Sequence, residues 1–187
     1  MPLVVRSRNP SRFIGNLARL NTVLAGRDPR FSGIRNLFWS TYMREMFRRI
    51  HHSFRVRSRG EYDDGGNLWS PLQKKTVERK RRIHRHSGRS KRRVGPAPHP
   101  HFINRDTEKL FKSLGMGLIS GNTYQPRSNQ IARYDGQGIT LGTKVSYAED
   151  VNELREIIPI RSLRKWTAES IAEAYRKILP RLSELDV

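Results

Sequence analysis

The sequence predicts an α+β fold in which amphipathic helices flank a small antiparallel sheet and a long basic arm interrupts the folded part. Three observations carry this reading. Apolar residues recur at three- and four-residue steps over residues 34–54 and again over 163–178, the spacing that lines one face of a helix. Between 116 and 143, short runs alternate apolar and polar residues and are separated by Gly, Asn and Pro, the pattern of strands and turns. From Lys74 to Arg93 there are eleven basic residues against one acidic, Glu78, and too few apolar positions (Val77, Ile83) to dock a helix firmly.

In chain order, a first helix is predicted after Asn9-Pro10, with Ser11 as N-cap and Phe13, Ile14, Leu17, Leu20 and Leu24 on one face. Gly26 stops it, and Asp28-Pro29 turns the chain. The second helix is predicted from Ile34, Leu37, Phe38, Thr41, Tyr42, Met46, Ile50 and Phe54. Its cations Arg35, Arg44, Arg48 and Arg49 lie mostly off that stripe and give it a charged outer face. Asp63-Asp64-Gly65-Gly66-Asn67 is turn chemistry. Residues 73–86 are good helix formers, and 95–100, rich in Pro, read as an extended linker. A short helix carries Leu110, Phe111 and Leu114 behind a cap at Asn104 or Asp106. Strands are predicted at 116–120, 129–134 and 138–143, then a helical turn at 147–152. Ile157, Ile158 and Ile160 bracket Pro159, as an edge strand or an extended approach to the last helix. Ser162 or Arg161 opens that helix, and Pro180 ends it. The chain therefore reads as one domain: residues 1–54 a helical segment packing on the core, 55–101 a basic Gly/Pro-containing loop or arm, and 102–187 an α+β core with a closing helix.

Charge bounds the class of partner. The 37 Lys and Arg exceed the 17 Asp and Glu by 20, and the excess is uneven: residues 149–187 hold seven basic and eight acidic side chains and are nearly neutral. Such a field favours phosphates or an acidic protein surface, with an association that weakens in salt. The candidate contacts are Lys74, Lys75, Arg79, Lys80, Arg81, Arg82, Arg85, Arg89, Lys91, Arg92 and Arg93. Aromatic residues are missing from this arm, so stacking on single-stranded bases is not supported.

Other chemistry finds little footing. The chain has no Cys, which excludes disulfides, thiolate metal sites and Cys nucleophiles. No apolar run approaches a membrane span, and the apolar start of the chain is too short for a secretory signal, so a soluble, reducing compartment is expected. His84, His86, His99 and His101 sit among positive charge that repels a dication, and His51 and His52 are expected to be exposed; no metal or cofactor is predicted. Glu61, Asp63 and Asp64 read as acids of a Gly-rich loop rather than a catalytic pair. With no nucleophile elbow and no phosphate-cradling loop, no enzymatic activity is expected. Trp69, in Trp69-Ser70-Pro71-Leu72, reads as a core anchor that closes a loop. Gly142-Thr143 reads as a strand end where Gly permits a tight turn, with Tyr147 anchoring that turn.

The order of these motifs resembles the Mu-like phage virion-morphogenesis family, the tail-completion proteins. Phe54, Trp69, Pro71, Leu72, Thr76, Leu110, Ser113, Gly142, Thr143, Tyr147, Ala148, Ile158, Pro159 and Arg161 match that family's order of a helix ending in Phe, a W-x-P-L segment, a middle helix, a G-T strand end, a Y-A pair and an I-P-x-R element. The family's Thr-Gly before the middle helix is replaced here by Arg105-Asp106-Thr107-Glu108. The resemblance implies a non-enzymatic structural protein of the neck or tail end of a virion, made in the host cytoplasm. It would complete the tail and join it to the head as part of a ring, hexameric or larger, around the DNA channel. Implied neighbours are portal, adaptor or connector proteins and tail terminator or tube proteins, with DNA in the channel a further contact. Trp69, Pro71, Leu72, Gly142, Thr143, Tyr147, Pro159 and Arg161 are then candidate structural or assembly residues, Arg161 as an inter-subunit ion pair. The alternative that the charge allows is a basic, sequence-nonspecific nucleic-acid-binding protein of ribosomal or nucleoid type.

Overall fold

In a computed structural model, described for residues 18, 20–25, 29–81, 109–135 and 138–183, one long helix organises everything else. Helix α1 (Ser32–Ser58) comes after a single 3-10 turn at Pro29–Phe31 and spans 27 residues, about 40 Å. After a loop come α2 (Lys74–Arg81) and α3 (Lys109–Ser113). Next are two hairpins, β1 (Leu118–Ser120) with β2 (Thr123–Gln125) and β3 (Gln130–Tyr134) with β4 (Ile139–Thr143). A short α4 (Ala148–Leu154) leads to the closing helix α5 (Ile160–Ser183). The class is α+β, as predicted.

Helix α1 buries far more than the one stripe read from its sequence. Met43 and Phe47 join Leu37, Phe38, Met46, Ile50 and Phe54 in the core, with Phe47 fully inaccessible. The reason is position: α5 packs along one flank of α1 and the β1–β2 hairpin along another. Phe47 stacks on Tyr124 of β2, ring centroids 6.2 Å apart, and Ser40 Oγ donates to the Asn122 carbonyl in the hairpin turn at 2.9 Å. On α5 the buried positions Ser162, Trp166, Ser170, Ala174, Ile178 and Leu182 recur at every fourth residue, a single ridge laid against α1.

The predicted sheet is two separate two-stranded ladders. Leu118 pairs with Gln125 and Ser120 with Thr123 in the first; Gln130 pairs with Thr143 and Tyr134 with Ile139 in the second. They do not merge because the chain between them ends strand pairing. Pro126 has no amide hydrogen to give, and Asn129 sits at φ 61°.

Three boundaries differ from expectation, and one open alternative is decided. Residues 155–159 form the extended approach and no strand. Helix α5 starts at Ile160, where the Glu156 carboxylate accepts the Ile160 amide at 2.8 Å. Pro180 does not end α5, which runs on to Ser183: losing one backbone bond near the helix end costs less than exposing Leu182, which is completely buried. Helix α1 continues past Phe54 to Ser58, into the stretch read as loop. Before α1, the predicted first helix is described at residue 18 and over 20–24. Its most buried residue there is Val23, which the predicted stripe omitted.

Candidate functional site

The residues singled out from the sequence fall into two groups, a basic arm and a set of joints. Lys74 and Lys75 open α2 with exposed side chains; Thr76 and Val77 root the helix, Val77 half-buried. Arg79, Lys80 and Arg81 continue α2, while Arg82, Arg85, Arg89, Lys91, Arg92 and Arg93 lie outside the described residues, as do His84, His86, His99 and His101.

The joint around Trp69 holds three segments together. Trp69 is 5% exposed and packs edge-on against Phe54 at 4.9 Å, so the W-x-P-L segment closes onto the end of α1. The Arg57 guanidinium lies over the Trp69 ring, 4.5 Å from its centroid, and the indole Nε1 donates to the Glu156 carbonyl at 3.3 Å. Leu72 is half-buried against the core, Pro71 is exposed, and Pro159 is fully buried just ahead of α5.

Arg57 is the centre of this joint, and no sequence motif marks it. Its Nη1 and Nη2 donate to the carbonyls of Glu156 and Ile157, each at 2.6 Å, and its Nε donates to Ser53 Oγ at 3.0 Å. Asp63 faces it at 3.5 Å, with both side chains almost wholly buried. Asp63 is no solvated loop acid. Its Oδ1 accepts from the amides of Gly65 (3.0 Å) and Asn67 (2.9 Å) and from Asn67 Nδ2 (2.9 Å), and its Oδ2 accepts from Ser53. Burial pushes the Arg57 guanidinium down to about 10, against the opposing pull of Asp63 and Glu156. Burial also acts to raise the Asp63 carboxyl, but hydrogen bonds from Ser53, Asn67 and Gly65 outweigh it and hold the group below its ordinary 3.8. Asn67 Nδ2 then reaches Ser162 Oγ at 3.1 Å, which ties the loop to α5. A β-carbon on Gly65 would fall 2.1 Å from that hydroxyl, so the turn needs glycine there. The legible signal is Arg57 itself, which comes after Ile50 and Phe54 on the apolar stripe of α1, where a charge requires a partner.

A second joint organises the hairpins around Gln130, a residue with no signal in the sequence. Its Nε2 donates to the carbonyls of Ser113 (3.1 Å) and Gly115 (2.7 Å); its Oε1 accepts from Tyr124 Oη (2.9 Å) and the Arg127 amide (3.1 Å). Tyr124 Oη also accepts the Gly117 amide at 2.8 Å, and burial raises this phenol above its ordinary 10.0. Gly117 is required by close approach, since a β-carbon would lie 2.2 Å from the Gln125 carbonyl oxygen. Beside this, Thr143 Oγ1 shares a hydrogen bond with Ser113 Oγ at 2.7 Å, donates to the Asn129 carbonyl and accepts the Val145 amide. Gly142 needs no special freedom: it lies inside β4 opposite Ile131, with no positive φ and room for a β-carbon 3.9 Å from the Ile131 side chain. The reading of Gly142 as a turn glycine is therefore corrected. Tyr147, half-buried, packs on the core ahead of α4.

Arg161 is exposed on the first turn of α5. With Arg155, Leu68 and the edge of Trp69 it lines an open cleft of about 590 Å³. Arg155 Nη1 is anchored to the Ser70 carbonyl at 2.7 Å. His51 is not freely exposed as expected, because its ring packs 4.3 Å from that of Phe111 and both are half-buried. Among the described residues, no three His, Asp or Glu side chains converge on a common point, and no helix is long and apolar enough to cross a membrane. Comparison with protein-family models, with curated proteins and with solved structures returned no match.

Proposed function

We propose that this chain is a structural virion protein of the phage neck or tail end, one that completes the tail and joins it to the head within a ring-shaped homo-oligomer of six or more copies. The observation that carries the reading is a coincidence between the ordered motifs and the joints of the fold. Phe54 meets Trp69, Trp69 bonds the segment leading to Pro159, and Ser113 meets Thr143. The motif residues thus tie distant segments together, as expected of residues that serve architecture rather than chemistry. Facing outward are the root of a basic arm at Lys74 and Lys75 and the cationic cleft edge at Arg161. In this role the arm clamps an acidic neighbouring ring or lies toward the DNA path. Portal, connector or tail-terminator proteins are the neighbours it would meet, in a mature virion.

The test is the mass and shape of the nuclease-treated protein in solution at low and high salt, by light scattering with negative-stain imaging. Capture by purified connector or tail rings is measured alongside. A discrete ring, or capture that needs no nucleic acid, is the expected result. A monomer that ignores the rings and binds any duplex would overturn the proposal in favour of a basic nucleic-acid-binding protein.

A further inference from the structure

The outer face of α1 carries a ridge of cations that neither the joints nor the arm explains. Arg44, Arg48, Arg55 and Arg59 are all exposed, and at 100° per residue they fall within about 60° of one another around the helix axis. The C-cap Arg59 keeps helical backbone angles, so the ridge runs unbroken for about 22 Å. Helix α1 holds a single carboxylate, Glu45, and that one is engaged with Arg48. Among the described residues the side chains of Arg44 and Arg55 meet no carboxylate. Like charges four apart on one helix face repel, a cost that an anion lying along the ridge would lower.

We infer that this ridge seats the phosphate backbone of a duplex nucleic acid. Two features select that partner over an acidic protein and over a single strand. Protein interfaces centre on packed aromatic, apolar or Arg anchors, and none of the large exposed hydrophobic residues (Tyr62, Leu68, Met116, Leu118, Ile160, Leu163, Ile171) belongs to α1 to pack around its arginines. A single strand needs aromatic faces for its bases, whereas the α1 aromatics are used internally: Trp39 stacks on Tyr134 at 4.7 Å, and Tyr42, Phe38, Phe47 and Phe54 are buried. Planar guanidinium groups spread along one line, with nothing to read base edges, suit a regular polyphosphate track bound without sequence preference. The ridge belongs to the helix against which the closing helix and the first hairpin pack. This inference goes beyond the assembly reading and does not depend on it: ring formation is read by mass, the ridge by salt dependence.

The experiment uses full-length, nuclease-treated protein and a labelled random-sequence DNA duplex of about 30 base pairs, with an RNA duplex in parallel. Affinity is measured by anisotropy across a salt series. The variant R44Q/R55Q/R59Q is compared with wild type and with R133Q/K144Q/R164Q, which removes the same charge from exposed positions elsewhere. Far-UV circular dichroism checks that both fold. The ridge variant is expected to lower the slope of log K against log salt by about three, roughly one per phosphate contact, while the control variant keeps the wild-type slope. Equal slopes for ridge and control variants, or no measurable duplex binding by wild type, would overturn the inference and leave the ridge to an acidic protein.

Discussion

Two buried polar joints hold this fold, and they are built from opposite materials. The Arg57 joint is ionic: a guanidinium and a carboxylate, each nearly inaccessible, neutralise one another while hydrogen bonds satisfy almost every remaining donor and acceptor. The Gln130 joint is neutral: one amide and one phenol serve four backbone groups, the Arg127 and Gly117 amides and the Ser113 and Gly115 carbonyls. The first ties segments about a hundred residues apart, the second only the stretch from Ser113 to Gln130. The difference lies in what happens when one partner is lost. A stranded charge cannot be tolerated where a stranded amide can. A neutral joint is also insensitive to acid, whereas an ionic joint is not.

The sharpest way to break this comparison is to remove the charge from one side only. Arg57→Met leaves Asp63 buried without its counter-ion and frees two carbonyls, and should cost about 3–5 kcal/mol by urea denaturation. Trp69→Ala, which empties the space between Phe54 and the Arg57 guanidinium, should cost a similar ~3–5 kcal/mol, read as a lowered melting midpoint. Replacing Gln130 with Ala strands Tyr124 Oη and two carbonyls but no charge, and should cost only about 1–3 kcal/mol. If Gln130→Ala proves as damaging as Arg57→Met, charge is not what separates the joints.

Acid sharpens the contrast further. Because Asp63 titrates below its ordinary 3.8 in the folded chain, its ionised form contributes stability that is complete above that value and is lost as pH falls through the lowered folded value. Urea midpoints should therefore fall on acidification from about pH 5 into that range. In Asp63→Asn the fall should be shallower, while Gln130→Ala should keep the wild-type dependence. The smallest expected effect is at Thr143. Thr143→Val removes its bonds to Ser113, Asn129 and Val145 at about 0.5–1.5 kcal/mol, and hydrogen exchange of the β3–β4 amides should report it locally.

The two joints are unequally legible. Trp69 and Thr143 stand out in the sequence because an isolated Trp beside Pro and a Gly-Thr strand end are local signals. Asp63 is visible but misleading, since a carboxylate in a Gly-rich turn has the same local signature whether it faces water or Arg57. Gln130 carries no signal at all: nothing in Asn129-Gln130-Ile131 distinguishes a surface glutamine from one that serves as a hub.

By itself the sequence determined the class of the fold, the two long amphipathic helices, the lopsided charge and where the basic run falls along the chain. These arise from periodicity and composition, which act over a few residues. Tertiary structure alone decided that α1 is buried on two flanks, that the strands form two ladders, that α5 runs through Pro180, and that Arg57 and Asp63 meet. The physical reason is that each of these depends on what stands opposite. Leu182 holds α5 helical past a proline because it has a core to enter, and Asp63 stays ionised out of water because Ser53, Asn67 and Gly65 hydrogen-bond it.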